Sequence, residues 1–222
     1  MKTSVRYPLA LAVALAALPT DTVAHFKLVQ PTSWINSNAL GDPQKVGPCG
    51  GDPKGENEKL LTNAITKVSG GSNLHLKIQE MIFHSGHYRV ALAVNSRNEL
   101  PPDPATVEKY TDRGVYSVWG VIQSPPQIPI LADGLFPHYP EPGQPASMAP
   151  KTPMAPWETD IKMPNINCPK CTLQVIQFMA DHPYNQPGGY AYHHCADLQI
   201  TADPSKPLDK GWPLPTPAAT SK

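Results

Sequence analysis

Residues 74–79 read LHLKIQ and residues 88–94 read YRVALAV, and these two stretches decide the fold class. Apolar and polar residues alternate in the first stretch, which is typical of a β-strand with one buried face. The second stretch is almost continuously apolar, as in a strand that is buried on both faces. Only a few residues separate them, so the sequence predicts a β-hairpin that turns across residues 83–87.

Further apolar runs bounded by Gly, Pro and Asn extend this pattern, whereas convincing amphipathic helices are scarce. The additional strands are expected at residues 26–30, 115–122, 172–179 and 190–201. Six or so strands with long connections predict an all-β protein, an immunoglobulin-like (fibronectin type III-like) antiparallel β-sandwich. A short helix is also predicted, around residues 58–68 or 104–110.

The first 24 residues have the features of a secretory signal peptide. Lys2 and Arg6 precede an apolar run at residues 9–18, and the small-residue stretch at residues 22–24 suits signal peptidase. The apolar run is shorter than the roughly 20 residues that a membrane-spanning helix needs. We therefore expect a secreted protein (extracellular or periplasmic) that begins at His25 and has no membrane segment once mature.

The mature chain is expected to form one domain at residues 25–202, followed by a proline-rich tail at residues 203–222 that is extended or disordered. Residues 123–165 are also dense in proline and lack periodicity, which predicts a long surface loop. Lys and Arg (18) balance Asp and Glu (18) and are scattered, so the sequence has no electrostatic footprint for nucleic acid or anionic lipid. A monomer is expected.

The four cysteines, Cys49, Cys168, Cys171 and Cys195, are expected to form two structural disulfides, because an exported chain matures in an oxidising compartment. Four cysteines allow three connectivities, which the spacing alone does not separate. The Cys168-x-x-Cys171 motif could also bind zinc or act as a redox dithiol. Neither a second ligand pair nor a βαβ context accompanies it, so the structural reading is preferred.

His25 is the strongest candidate for chemistry. As a mature N-terminus it would offer two nitrogen donors, its α-amine and its imidazole Nδ1, which close a chelate ring on a metal. A further histidine would complete a T-shaped set of three nitrogens. Such a set favours Cu(II), which also leads the affinity order of the divalent metals. We therefore expect one copper ion per chain.

The second histidine has several candidates. His84 and His87 both lie in the predicted turn between strands, where ligands are often found, and spacing does not separate them. His75 alternates with apolar residues on a strand, and His138 and His182 adjoin prolines without any other signal.

The last predicted strand carries four residues of interest. Alternation places Tyr192 and His194 on one face and His193 and Cys195 on the other. Tyr192 would either lie near the axial position of the copper or be an ordinary core aromatic.

Four short motifs together resemble the lytic polysaccharide monooxygenases, in particular the chitin- and cellulose-active members found in animals and uncharacterised bacterial relatives. They are, in order, the signal peptide followed by His25, Cys49-Gly50-Gly51, His84-Ser85-Gly86-His87-Tyr88, and the pair Cys168-x-x-Cys171-Thr172-Leu173-Gln174 with Tyr192-His193-His194-Cys195-Ala196-Asp197. Most of the mature chain is covered, although only these pieces match closely.

The resemblance implies that His25 and His84 hold the copper and that Tyr192 is the axial aromatic residue. His87 then becomes a neighbour of the site, and Gln174 or Gln177 together with His194 would position an oxygen species by hydrogen bonding. It also implies a Cys49–Cys195 disulfide, which leaves Cys168 with Cys171. This chain departs from the relatives at Val175, where they have a Trp, and in the proline-rich insertion at residues 123–165.

The function implied is copper-dependent oxidative cleavage of glycosidic bonds in a polysaccharide such as chitin or cellulose, with electrons from an external donor. Trp34 or exposed tyrosines would stack on sugar rings, although Trp34 is equally compatible with a core position. One alternative is a non-catalytic histidine-brace protein for copper uptake or storage. Another is an extracellular β-sandwich that binds no metal.

Overall fold

The computed structural model describes residues 25–139 and 155–214, and regular structure in these ranges is almost entirely β. Its ten strands are β1 (His25–Gln30), β2 (Ile65–Ser69), β3 (Asn73–Ile82), β4 (Gly86–Ala93), β5 (Thr106–Thr111), β6 (Gly114–Gly120), β7 (Ile130–His138), β8 (Trp157–Lys162), β9 (Cys168–Met179) and β10 (Ala191–Thr201). Two single turns of 3₁₀-helix occur, at Glu58–Leu60 and Arg97–Glu99. No helix in the described ranges is long and apolar enough to cross a membrane.

The strands form two facing sheets and one separate hairpin. A three-stranded sheet has the order β1-β3-β8, a five-stranded sheet has the order β2-β10-β9-β4-β7, and β5 and β6 form a two-stranded sheet. Leu76 and Ile78 from the first sheet pack in one buried cluster with Val90 and Leu173 from the second. The immunoglobulin-like β-sandwich is therefore confirmed, with the difference that β2 pairs with β10 in parallel rather than antiparallel.

The predicted hairpin between residues 74–79 and 88–94 is wrong. The first stretch lies in β3, which pairs with β1 and β8, and the second lies in β4, which pairs with β9 and β7. The burial patterns show the reason: β3 alternates between buried and exposed, whereas all eight residues of β4 are buried, as the inner strand of a covered sheet requires. Residues 83–85 therefore cross from one sheet to the other.

The predicted helices and the predicted loop at residues 123–165 are also wrong. Apart from one 3₁₀ turn, the helix candidates lie in β2 and β5, whose β-branched residues suit extended backbone. Within 123–165 the chain forms β7 and β8, each of which adds an edge to one sheet. The part of that loop at residues 140–154 lies outside the described residues.

Residues 203–214 are not an extended end, because they fold back onto the sandwich. The Asn165 side chain donates to the carbonyl groups of Asp203, Lys206 and Pro207, and Trp212 packs against the main core. Residues 215–222, the rest of the predicted tail, lie outside the described range.

Both disulfides have the expected partners. Cys49 bonds to Cys195, across 146 residues of sequence, and Cys168 bonds to Cys171 within β9. The first bond fastens the long segment between β1 and β2 to the outer face of β10, and Trp34 donates to the carbonyl of Cys49 in the same layer.

Candidate metal centre

His25 opens β1 and is almost completely buried, with 3% of its surface exposed. Its ring lies edge-on to Tyr192, with 5.6 Å between ring centroids. Its Nε2 atom is 3.0 Å from Oδ2 of Asp42. If Nε2 carries the proton and donates it to this carboxylate, the lone pair is on Nδ1. Nδ1 is the ring nitrogen that a chelate with the α-amine requires.

His84 lies in the crossover between β3 and β4. Gly86, two residues further on, lets the backbone run close to β9, because a Cβ at that position would lie 1.8 Å from the carbonyl oxygen of Phe178. Nδ1 of His84 is 3.2 Å from the Ser85 carbonyl oxygen, which assigns the ring proton to Nδ1 and the lone pair to Nε2. Burial, and then the nearby His182, lower the pKa of His84 to about 4. His84 is therefore a neutral imidazole at neutral pH, the form that binds metals.

His182 also belongs to this group, although no motif in the sequence marks it. Its ring centroid is 4.9 Å from that of His84 and 6.5 Å from that of Tyr192. The strand register explains the proximity: Gly86 pairs with Met179, and Ala180 donates to the Ser85 carbonyl, so the chain leaving β9 runs beside His84. In the sequence alone, His182 is a histidine three residues after the end of a strand, and nothing indicates that it lies beside His84.

Tyr192 lies at the centre of the cluster, fully buried on β10. Burial, and then the charge of Asp42, raise the pKa of Tyr192 well above its usual value, so the phenol stays protonated. Its hydroxyl has no hydrogen-bond partner among the described residues. Ring contacts thus connect His25, Tyr192, His182 and His84 in one continuous group, with residues from both sheets.

Gln177 is the glutamine that faces this group. It pairs in register with both Tyr192 and Tyr88, whose side chains point into the sandwich. Its Nε2 donates to Oε1 of the buried Glu80 over 2.6 Å. The Tyr88 hydroxyl and the Trp157 indole donate to the same carboxylate, at 2.9 and 3.4 Å.

His138 completes the environment of Glu80, with its Nε2 2.9 Å from Oε1. Burial alone would lower the pKa of His138, but the contact with Glu80 outweighs it and the pKa is raised. Glu80 and His138 were not selected from the sequence, because a buried carboxylate on an alternating strand looks like any polar residue of the exposed face.

The other predicted neighbours of the site lie elsewhere. Gln174 donates to the Pro48 carbonyl on the outer face of β9. His87 stacks on Phe178, 4.0 Å from Asp133 and on the opposite side of β4 from Tyr88.

His194 faces the same side as Tyr192, as alternation predicts, but its Nε2 donates to the Phe26 carbonyl. His193 contacts Asp103 on the other face, beside Cys195. Trp34 is a core residue, with 9% exposed and the Arg97 guanidinium over its ring.

The donor chemistry of the cluster fits a copper ion. Its imidazoles have their protons assigned to carbonyl or carboxylate acceptors, which leaves nitrogen lone pairs of the kind that copper prefers. Among the described residues, no group of three or more His, Cys, Asp or Glu side chains is arranged to hold a metal. A mature His25 would add its α-amine as a donor that is not a side chain.

The β5–β6 hairpin lies directly beside the cluster. Ser117 donates its backbone N–H to the carbonyl of His182 and accepts from the N–H of Asp181. Lys109 pairs with Asp181 from the neighbouring strand. The hairpin and the adjoining segment expose three large aromatic side chains, Tyr110, Trp119 and Tyr184.

Comparisons with known proteins give a distant fold likeness. No family model matches the chain, and no curated protein matches it. A solved structure described as an AA15 lytic polysaccharide monooxygenase from Thermobia domestica in the Cu(I) state is similar over 80% of this chain and 99% of that one, with 17% identity and a TM-score of 0.45. A likeness at this distance carries no argument about activity, substrate or metal.

Proposed function

We propose that the mature protein binds one copper ion through His25 and His84 and oxidises a polysaccharide. The observation that carries this proposal is the continuous group of rings formed by His25, Tyr192, His182 and His84 at one place between the sheets. His25, His84 and the His182–Tyr192 segment are three parts of the chain more than 50 positions apart, and nothing in core packing requires three histidines to gather beside one tyrosine.

The α-amine and Nδ1 of His25 would chelate the copper, and Nε2 of His84 would supply the third nitrogen. Copper held in this way would supply redox chemistry for attack on a C–H bond beside the glycosidic oxygen, with O₂ or H₂O₂ as the oxidant and electrons from an external donor. The depressed pKa of His84 keeps its imidazole neutral even in mildly acidic medium, so protons do not compete for this ligand above about pH 4.

The surrounding residues would orient the reactants and exclude water. Tyr192, protonated and buried, would pack against the His25 ring and exclude water from the site. Gln177 is held by Glu80, which fixes its amide, so that Gln177 presents a polar group of defined orientation to the cluster. The exposed rings of Tyr110, Trp119 and Tyr184 would stack on sugar rings, since aromatic faces bind the apolar faces of pyranoses.

Secretion agrees with this function. The two disulfides persist in an oxidising compartment, and an insoluble polymer is reached only outside the cytoplasm. Export would also create the required amine, because removal of residues 1–24 exposes the nitrogen of His25.

The test uses protein exported with its own leader, and mass spectrometry must first show that it begins at His25. We expect one Cu(II) per chain with a nitrogen-rich electron paramagnetic resonance spectrum, and oxidised oligosaccharides from chitin or cellulose when ascorbate is added. His84→Ala should abolish both. His87→Ala is the matched control, since it removes a buried histidine three residues away on the opposite face of β4. Protein beginning at His25 that binds no copper would refute the proposal.

The second candidate is a copper-binding protein without catalysis, and His182 favours it. A third imidazole 4.9 Å from His84 is more nitrogen than a monooxygenase site requires. In that case His182→Ala should lower copper affinity as much as His84→Ala does, and the copper-loaded protein should form neither H₂O₂ with ascorbate nor oxidised sugars.

A further inference from the structure

The carboxylate of Asp42 is aimed at the buried edge of the His25 ring. Oδ2 of Asp42 lies 3.0 Å from Nε2 of His25, and the side chains are 4% exposed for His25 and 32% for Asp42. Asp42 therefore reaches inward from the surface, and its contact is with the ring nitrogen that the proposed chelate does not use.

The loop that carries Asp42 is built to hold this position. The Asn38 side-chain oxygen accepts from three successive backbone N–H groups, those of Leu40, Gly41 and Asp42. Gly41 has a φ of +109°, and a Cβ there would lie 2.1 Å from the carbonyl oxygen of Phe26. The loop is thus pressed against β1 at the residue that follows His25, so His25 and Asp42 are fixed relative to each other.

The hydrogen bond determines which nitrogen of His25 can bind a metal. A carboxylate only accepts, so Nε2 must carry a proton, and in the neutral ring the lone pair is then confined to Nδ1. Nδ1 is the nitrogen that can close a chelate ring with the α-amine, whereas Nε2 cannot reach back to it. A carboxylate behind a ligating imidazole also makes the opposite nitrogen a better donor.

We propose that Asp42 is a positioning residue that holds His25 as the Nε2–H tautomer and so prepares Nδ1 and the α-amine for copper. The role of Asp42 in copper binding rests on the proposed function, but the tautomer of His25 exists without any metal. The two can therefore be tested separately.

The first experiment uses copper-free protein beginning at His25, with ¹⁵N-labelled histidine, at pH 8.5, where an ordinary histidine is neutral. We expect an observable, slowly exchanging Nε2–H proton for His25 and a Nδ1 shift typical of a nitrogen without hydrogen. Asp42→Ala should lose the protected proton, and Asp42→Asn should keep it, because asparagine retains an acceptor oxygen. A wild-type His25 that carries its proton on Nδ1, or shows no protected Nε2–H, would overturn the inference.

The second experiment measures Cu(II) affinity by competition with a chelator of known affinity. Loss of such a partner typically weakens metal binding by about 10–100-fold, so we expect a loss in this range for Asp42→Ala and a smaller one for Asp42→Asn. Asp112→Ala is the control: it removes an equal charge from the exposed turn between β5 and β6 and should leave affinity unchanged. Equal affinity for Asp42→Ala and Asp112→Ala would also overturn the inference.

The two proposals fail in different ways. If the wild type shows the Nε2–H tautomer but binds no copper, the proposed function fails while Asp42 still fixes the tautomer. If it binds copper with His25 in the other tautomer before loading, the function stands and the role of Asp42 fails.

Discussion

His194 should make the protein lose stability in acid, and by a calculable amount. The side chain is completely buried, its Nε2 donates to the Phe26 carbonyl, and its Nδ1 has no partner among the described residues. A second proton would place a positive charge at Nδ1, which has no acceptor among the described residues and is buried away from the surface. Burial therefore lowers the pKa of His194 from 6.5 to about 4.

The sign and size follow from linkage. Between pH 6.5 and pH 4 the unfolded chain binds a proton at this position and the folded chain does not, so the free energy of unfolding falls as the pH falls. A difference of roughly 2.5 pH units at 1.36 kcal/mol each gives about 3 kcal/mol. The contribution is fully present above pH 6.5 and is lost by about pH 4.

The assay is urea unfolding of the copper-free protein at pH 7 and at pH 4. His194→Gln replaces the ring with an amide that can still donate to Phe26 but does not titrate. We expect the free energy of unfolding to fall by about 3 kcal/mol less between pH 7 and pH 4 in this variant than in wild type. His84 contributes in the same direction in both proteins, so its contribution cancels in the comparison.

His75→Gln is the control: the exposed ring of His75 is paired with Asp160 and Glu158, which raise its pKa, so removing this histidine should not reduce the acid loss. If His194→Gln and wild type lose equal stability on acidification, the burial argument is wrong.

Three further outcomes are expected. Glu80→Gln should lower the free energy of unfolding by about 2 kcal/mol in urea titrations, because the hydrogen bonds to a charged acceptor and the contact with His138 both weaken. Tyr192→Phe should leave the free energy of unfolding within about 1 kcal/mol of wild type, because the buried hydroxyl that it removes has no hydrogen-bond partner among the described residues, and it should shift the spectrum of the proposed copper site; a large destabilisation would contradict this reasoning. Replacing both Cys49 and Cys195 with Ala should cost about 5 kcal/mol, the loop entropy for a separation of 146 residues, and a loss below 2 kcal/mol would contradict this estimate.

The sequence was sufficient for the fold class and for the positions of most strands, because alternation and β-branched composition are local signals. It was not sufficient for the partners of those strands. β3 and β4 are neighbours in sequence but lie in different sheets, and only the difference between half-buried and fully buried patterns separates a crossover from a hairpin. The strands β7 and β8 were missed because proline-rich flanks obscured them.

The same limit applies to the site. His25, His84 and Tyr192 were selected from local motifs, and the structure brings them into one cluster. His182 depends on the register of β4 against β9, and Asp42 depends on how a loop packs on β1. Both are relations between distant segments, which no single motif encodes.

The separate β5–β6 hairpin has a consequence for how this molecule can vary. In the part of the chain that the structure describes, its strands share no ladder with either sheet of the sandwich, and Ser117 links it to the segment that carries His182. The exposed side chains of the hairpin can therefore change by mutation without shifting a strand that carries His25 or Tyr192, whereas Ser117 and Gly120 pack on β9. Under the proposed function, substrate choice and metal chemistry would be inherited as separable traits, and grafting a different hairpin onto this scaffold would be a direct way to change the substrate.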